Sequence, residues 1–201
     1  MIKAVIFDLD GTLVDSEEVI VELFQRLFLE AGLTPPSPEA ILKIKARGSA
    51  YIIASLLPEH LKGDAELERR LRERCAVISK SLLNKIKPME GARETLEWLR
   101  KNNVKIGLVT NRGPSTNELL ELIGFGRYFD VVITAYHSKN LKPHPEPILT
   151  ALEKLGVDKS DAIYIGDSEV DYAAGEAVGI KTVLLNKEIK RLQDIRRWFD
   201  G

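Results

Sequence analysis

Short apolar runs of strand length recur along the chain. They are K-A-V-I-F near residue 5, K-I-G-L-V-T at 105–110, V-V-I-T at 131–134, A-I-Y-I-G at 162–166 and K-T-V-L-L at 181–185. Unbroken apolar runs are typical of strands that are buried on both faces. Helical spacings fill the chain between the later runs, and a helix between two strands provides the connection that parallel pairing requires. The pattern predicts an α/β fold, a Rossmann-like parallel sheet covered by helices on both sides.

The segment from Ser16 to Lys87 breaks this alternation. It shows helical spacings and no convincing strand, with apolar positions at Val19, Leu23, Leu27 and Ala31 and again at Leu67, Leu71, Cys75, Ile78 and Leu82. Such an insertion of about seventy residues is expected to fold as a small bundle of its own. We therefore predict a core domain of residues 1–15 and 88–201 and an all-helical domain of residues 16–87, called the helical segment below. Hinges are expected near Asp15 and Pro88.

The composition excludes several classes of function. Lysine and arginine (29) nearly balance aspartate and glutamate (30), which leaves a formal net charge of -1. Without a positive field over the whole molecule, no nucleic acid partner is expected. The single cysteine excludes an internal disulfide and suits a reducing compartment. Because no apolar run is long enough to cross a bilayer and no leader pattern is present, we expect a cytoplasmic protein with no membrane partner.

Polar side chains follow the carboxyl ends of the predicted strands. The first strand ends in D-L-D-G-T at 8–12, the second in T-N-R-G at 110–113 and the fourth in G-D-S-E-V-D at 166–171. The third leads through a loop to Lys142. In an open parallel sheet, ligands bind in the crevice beyond these strand ends. The sequence therefore predicts that carboxylates, a hydroxyl group and a lysine gather at one edge of the sheet.

The acidic residues at this edge indicate a metal site. Asp8 and Asp10 are two residues apart in an extended stretch, so both can face the crevice unless the turn at Gly11 rotates the second. Together with Asp167 they would repel one another strongly unless a cation lay among them. Carboxylate oxygens without histidine or cysteine ligands favour a hard cation, and few protein ligands favour Mg²⁺ over Ca²⁺.

These motifs, taken in order, resemble those of the haloacid dehalogenase superfamily of aspartate-nucleophile phosphatases. The matching stretches are D-L-D-G-T at 8–12, V-T-N at 109–111, Lys142 before P-H-P, and G-D-S-E-V-D at 166–171. The helical segment resembles the C1 cap of the phosphoglycolate phosphatase-like branch. The resemblance implies a Mg²⁺-dependent phosphoric monoester hydrolase that acts on a small phosphorylated metabolite. Neither a monomer nor a homodimer is excluded.

The resemblance also implies catalytic roles for the paired acids. Asp8 corresponds to the nucleophile that accepts the phosphoryl group, and an aspartate is already anionic at neutral pH. Asp10 corresponds to the acid that protonates the leaving oxygen and then deprotonates water, which requires its pKa to lie well above that of Asp8. Dehalogenating members lack an acid at this second position, so Asp10 favours phosphate chemistry over halide displacement.

The same resemblance assigns the remaining groups of the site. Mg²⁺ would be held by Asp8, the backbone carbonyl of Asp10 and Asp167, while Asp171 would either reach the metal through water or orient Lys142. The positive charge of Lys142 would neutralise the nucleophile and the transferred group. The Thr110 hydroxyl and the Asn111 amide would donate to phosphoryl oxygens, and Gly11 would let the backbone approach the phosphate.

Substrate selectivity is expected to lie in the helical segment, which would act as a lid over the crevice. Arg47, in the stretch R-G-S at 47–49, lies about where related caps place a substrate loop. Two interpretations of Arg47 stay open. It either reaches the polar or anionic part of the leaving group, or it is a solvated surface arginine.

Several functions compete with the leading hypothesis of a phosphatase. A sugar phosphomutase of the β-phosphoglucomutase kind would share the nucleophile and the cap, but would return the phosphoryl group to the sugar. A pyrophosphatase or a nucleotidase of the same family would use the same residues on another substrate. A non-enzymatic binding module on this scaffold would be expected to lack the nucleophile, the acid or the lysine, and none of these is missing.

Overall fold

The computed structural model describes residues 2–199 and contains one five-stranded parallel sheet. The strands in chain order are β1 Ala4–Phe7, β2 Val14–Asp15, β3 Lys87–Pro88, β4 Lys105–Val109, β5 Val131–Ile133, β6 Ala162–Gly166 and β7 Lys181–Leu184. The main sheet has the order β5-β4-β1-β6-β7, so β1 is its central strand. All five apolar runs predicted as strands form this sheet. The predicted α/β fold is confirmed.

Helices cover both faces of the sheet. The α-helices are α1 Glu17–Glu30, α2 Pro38–Ile44, α3 Ser49–Leu56, α4 Ala65–Ser81, α5 Ala92–Lys101, α6 Ser115–Leu122, α7 Glu146–Leu155 and α8 Glu169–Val178. Short 3-10 helices span Lys45–Arg47, Glu59–Leu61, Leu83–Lys85, Gly126–Tyr128, Lys159–Asp161 and Leu192–Trp198. Within residues 2–199, no helix combines the length and the apolar character that a bilayer-crossing segment needs.

Successive side chains of β1 point to opposite faces and enter two different apolar clusters. Val5 and Phe7 pack in the cluster that includes α5, whereas Ala4 and Ile6 pack in the cluster of α7 and α8. This alternation is the ordinary consequence of strand geometry, and it explains why the run is apolar throughout. A central strand buried in this way fixes the position of Asp8, which follows it directly.

The helical segment enters and leaves the core through a short antiparallel ribbon. Val14 of β2 pairs with Pro88 of β3, and Asp15 pairs with Lys87. The sequence predicts no strand between Ser16 and Lys87. The pairing of Lys87 in β3 corrects that prediction at its last residue. It holds the two connecting chains side by side at the expected hinge positions. The division into two domains stays a prediction, because one buried apolar cluster runs from Phe7 of the sheet to Phe24 and Ile78 of the helical segment.

Candidate active site

Lys142 lies at the centre of the site, and its side chain is only 3% exposed. Its ammonium nitrogen contacts four oxygen atoms: Asp8 Oδ1 at 2.6 Å, Asp171 Oδ1 at 2.7 Å, the Tyr164 hydroxyl at 2.9 Å and the Val109 carbonyl at 3.1 Å. An ammonium ion can be buried so deeply only where carboxylates and other acceptors surround it. Burial acts to lower the pKa of Lys142, but Asp171 and Asp8 outweigh it and the pKa is raised.

Asp171 is fully occupied by protein partners. Its Oδ1 accepts from Lys142 and from the Tyr164 hydroxyl, and its Oδ2 accepts from the backbone and side chain of Ser168 at the start of α8. Burial acts to raise the pKa of Asp171, but the charge of Lys142 outweighs it and the net shift is downward. Of the two roles left open for Asp171, these contacts match the one in which it orients Lys142.

Asp10 is held by Arg112, a residue that no sequence motif singled out. Arg112 donates from Nη2 to Asp10 Oδ1 at 2.6 Å and from Nε to Asp10 Oδ2 at 3.0 Å, which is a two-point ion pair. Burial acts to raise the pKa of Asp10, but the charge of Arg112 outweighs it and the pKa is lowered. Burial raises the pKa of Asp8 well above its ordinary value, against the lowering effect of Lys142. The pKa of Asp10 was expected to lie above that of Asp8. The protein groups by themselves shift the two pKa values in the opposite directions.

Three carboxylates cluster closely enough for a metal site, although both oxygens of Asp171 already accept from Lys142, Tyr164 and Ser168. Oxygen atoms of Asp8, Asp167 and Asp171 all lie within 4.8 Å of one another. Asp10 is not in this group, because its carboxylate turns to Arg112; it was expected to contribute only its backbone carbonyl. Burial raises the pKa of Asp167 as it does that of Asp8. A divalent cation would oppose both rises, so this set of oxygen donors fits Mg²⁺.

Gly11 keeps space open beside the acidic cluster. Its φ of +86° lies in the left-handed region, and a Cβ atom at this position would lie 2.2 Å from Asp167 Oδ2. The family resemblance implies that Gly11 lets the backbone approach a phosphate. The structure adds a second reason, because any side chain here would displace the Asp167 carboxylate.

The two polar residues after β4 differ in what they can still bind. The Thr110 hydroxyl oxygen accepts from the Arg112 backbone at 3.1 Å, and within residues 2–199 its hydrogen has no acceptor. The side-chain amide of Asn111 donates both hydrogens, to the carbonyls of Ala46 and Lys142 at 2.9 Å each. With both hydrogens used in this way, the side-chain amide cannot donate to a phosphoryl group. This corrects the expectation that the Asn111 amide group binds phosphoryl oxygens through its side chain. The backbone N–H of Asn111 makes no hydrogen bond to the described part of the chain and stays available.

The helical segment contributes Lys45 rather than Arg47 to the site. Lys45 Nζ lies 2.5 Å from Glu17 Oε1 and 3.2 Å from Asp167 Oδ2. Arg47 is exposed, and its guanidinium lies over the ring of Tyr51 at 5.2 Å from the centroid. Gly48, with a φ of +84°, turns the chain directly after Arg47. Arg47 does not line the cavity described next, so the geometry agrees with the solvated alternative and corrects its assignment to substrate binding.

A cavity of about 400 Å³ lies between the sheet edge and the helical segment. Asp8, Asp10, Thr110, Asn111 and Lys142 line it from the core. Asp171 lines it as well, so the structure brings together six of the residues that the sequence singled out, with Asp167 and Gly11 beside them. Because the cavity is concave and bordered by a buried lysine and several carboxylates, it is the candidate active site.

Comparison with known proteins agrees with this fold and cavity. The family model described as haloacid dehalogenase-like hydrolase matches residues 5–185. The chain therefore belongs to the haloacid dehalogenase-like hydrolase family, and the predicted family is confirmed. The match covers the sheet from β1 to β7 together with the helical segment between them.

Two curated relatives and one solved structure illustrate the similarity. The chain is 32% identical to a phosphoglycolate phosphatase of Pseudomonas fluorescens, covering 92% of this chain and 69% of that one. It is 31% identical to the pyrophosphatase PpaX of Bacillus velezensis, covering 96% of this chain and 88% of that one. A haloacid dehalogenase-superfamily hydrolase of subfamily IA from Geobacter sulfurreducens superposes with a TM-score of 0.81 at 32% identity, covering 98% of this chain and all of the other.

Proposed function

We propose that the protein is a Mg²⁺-dependent phosphatase that hydrolyses a small phosphorylated metabolite through a phosphoryl group carried transiently on Asp8. One observation carries the proposal. Lys142 holds Oδ1 of Asp8, while Oδ2 makes no hydrogen bond to any described residue. One oxygen is thus fixed and the other is free to attack. Similarity to relatives named for phosphoglycolate and pyrophosphate supports phosphate chemistry in this cavity.

In the first half of the reaction, Asp8 Oδ2 forms a bond to phosphorus and the bond from phosphorus to the leaving oxygen breaks. Asp10 gives its proton to that oxygen. Asp10 must leave the fork of Arg112 to carry a proton, because the ion pair stabilises its ionised form. Lys142, the Thr110 hydroxyl and the Asn111 backbone N–H are placed to balance charge on the transferred group.

In the second half, water attacks phosphorus and gives a proton to Asp10, and the bond between phosphorus and Asp8 breaks. Free Asp8 and inorganic phosphate result. Ionised Asp10 is the form that accepts this proton, and Arg112 stabilises that form. Asp171 and Tyr164 act as positioning residues, since both contact the Lys142 ammonium group that holds Asp8.

Asp8, Asp167 and the backbone carbonyl of Asp10 would hold Mg²⁺, which supplies positive charge against the phosphoryl oxygens when bound. The donor set fits this ion, as its clustered carboxylates and the open space at Gly11 indicate. Cleavage of pyrophosphate is the second candidate function, and similarity to the Bacillus velezensis pyrophosphatase favours it. The same residues would act on either substrate.

The test is a panel of phosphate esters and pyrophosphate assayed for phosphate release with and without Mg²⁺. We expect steady release from at least one compound, abolished by Asp8→Asn and by chelation. Asp158→Asn, at an exposed position, is the matched control and should retain full activity. Isomerisation of a sugar phosphate that requires an added sugar bisphosphate and releases no phosphate would indicate a phosphomutase. Equal rates for Asp8→Asn and the parent would refute the proposal.

A further inference from the structure

Much of the helical segment's side of the cavity is apolar. Ile20, Leu23, Phe24, Ile52, Cys75 and Ala76 are called the apolar wall here, and Lys45, Ser49, Arg72 and Ser79 of the same segment also line the cavity. All residues of the apolar wall except Ala76 are buried, and Phe24 and Ile52 are each only 2% exposed. In a cavity whose core side takes the phosphoryl group, the opposite side receives the rest of the substrate. The apolar wall therefore meets the leaving group.

The three least exposed cations that line the cavity are already paired. Lys45 contacts Glu17 and Asp167, Arg112 contacts Asp10 at two points, and Lys142 contacts Asp8 and Asp171. The other two lining cations, Arg72 and Lys139, are exposed to solvent, where water and salt screen their charge. While these ion pairs are intact, none of the three shielded cations that line the cavity is spare for a second anionic group.

An anionic leaving group would meet this wall at a cost. A carboxylate or second phosphate moved from water against apolar side chains loses its hydration and gains no partner there. An uncharged group of the same size loses much less hydration and buries apolar surface instead. The apolar wall should therefore discriminate between substrates by the charge of the leaving group more strongly than by its shape.

From this geometry we propose that the substrate carries an uncharged organic group with an apolar face, rather than a second anionic group. The inference rests on the proposed function and makes it more specific. It predicts that phosphoglycolate and pyrophosphate, the compounds in the relatives' names, are poor substrates of this chain.

The test compares pairs of esters that match in size and differ in charge. Phosphoglycolate is assayed against its amide, and against n-propyl phosphate, with Mg²⁺ present. We expect kcat/KM for each neutral ester to exceed that for phosphoglycolate by about tenfold or more. An aryl phosphate is measured in parallel as a general reporter of phosphatase activity.

A variant with a charged wall provides the second measurement. Ala76→Lys places a cation on α4 at the least buried position of the apolar wall. It should raise kcat/KM for phosphoglycolate relative to its amide by about tenfold. Val77→Lys is the matched control, because Val77 is the next residue of α4, is 55% exposed and does not line the cavity. Circular dichroism and thermal melting check that both variants fold.

The outcomes separate this inference from the proposed function. A higher kcat/KM for phosphoglycolate than for its amide would overturn the inference, but the proposed phosphatase activity would still be supported. An unchanged charge preference in folded Ala76→Lys would also overturn it, since the wall would then not meet the leaving group. Failure to hydrolyse every compound, the aryl phosphate included, would remove the proposed function and this inference together.

Discussion

The ammonium nitrogen of Lys45 lies 3.2 Å from Oδ2 of Asp167, so the helical segment neutralises a carboxylate at the edge of the sheet. Lys45 also contacts Glu17, which holds it in this position. The adjacent residue, Ala46, accepts a hydrogen bond from the Asn111 side chain. Two successive residues of the helical segment are thus tied to residues of the proposed catalytic machinery.

The first prediction concerns competition for Asp167. In Lys45→Met the carboxylate loses its nearest cation, so Mg²⁺ should bind about fivefold more tightly than in the parent. Titration calorimetry measures this affinity without any turnover. Lys43→Met is the matched control, because Lys43 is exposed two residues earlier and forms no ion pair with the described residues. Equal affinities for parent and Lys45→Met would show that Lys45 does not compete with the metal.

A second prediction concerns the ion pair between Arg112 and Asp10, whose side chains are 10% and 22% exposed. Arg112→Ala leaves a mostly buried carboxylate without a partner and should lower the free energy of unfolding by about 2 kcal/mol at pH 7. Arg112→Lys keeps the charge but loses the two-point geometry, so it should lose about half as much. Urea denaturation without metal gives both values.

The pH dependence of that pair follows from the lowered pKa of Asp10. A carboxyl group whose pKa is lower in the folded than in the unfolded protein stabilises the fold fully above its unfolded pKa, about 3.9. That stabilisation is lost as the pH falls through the folded pKa. The stability difference between parent and Arg112→Ala should therefore narrow below about pH 4. A difference that is constant from pH 7 to pH 3 would contradict this assignment.

The sequence was sufficient for the sheet and for most residues at its edge. Unbroken apolar runs identified the strands, and parallel strands bring their carboxyl ends to one edge, so the residues following them had to be neighbours. Tyr164 was missed although a signal was present. A hydroxyl group inside a fully buried strand needs a hydrogen-bond partner, and Tyr164 finds Lys142 and Asp171.

The missed cations show where sequence patterns stop being informative. Arg112 directly follows Asn111 at the same sheet edge, so a positive charge near Asp10 could have been anticipated from its position. Lys45 could not, because its partner Asp167 is 122 residues away and depends on how the helical segment packs on the core. The resemblance pointed instead to Arg47, which the turn at Gly48 leaves exposed.

A third prediction tests whether Lys142 and Asp171 act as a unit. Lys142→Met leaves two buried carboxylates unpaired and should cost about 3 to 5 kcal/mol of stability and a hundredfold or more of activity. The double variant with Asp171→Asn removes one of those carboxylates, so its loss of stability should be smaller than the sum of the two single losses by about 1 to 3 kcal/mol. Urea denaturation of the four proteins measures this coupling. Strictly additive losses would show that the two residues contribute independently.

The last prediction uses Cys75, the single cysteine of the chain. It lies on α4 in the apolar wall, and burial raises the pKa of its thiol to about 12. Because the thiolate is the reactive form, a disulfide reagent at pH 8 should label the folded protein at least ~100-fold more slowly than the urea-unfolded chain. The single cysteine makes the absorbance signal unambiguous. Rapid labelling of the folded protein would show that the helical segment separates from the sheet edge on the timescale of the reaction, so that the cavity is open to reagents and water before substrate binds.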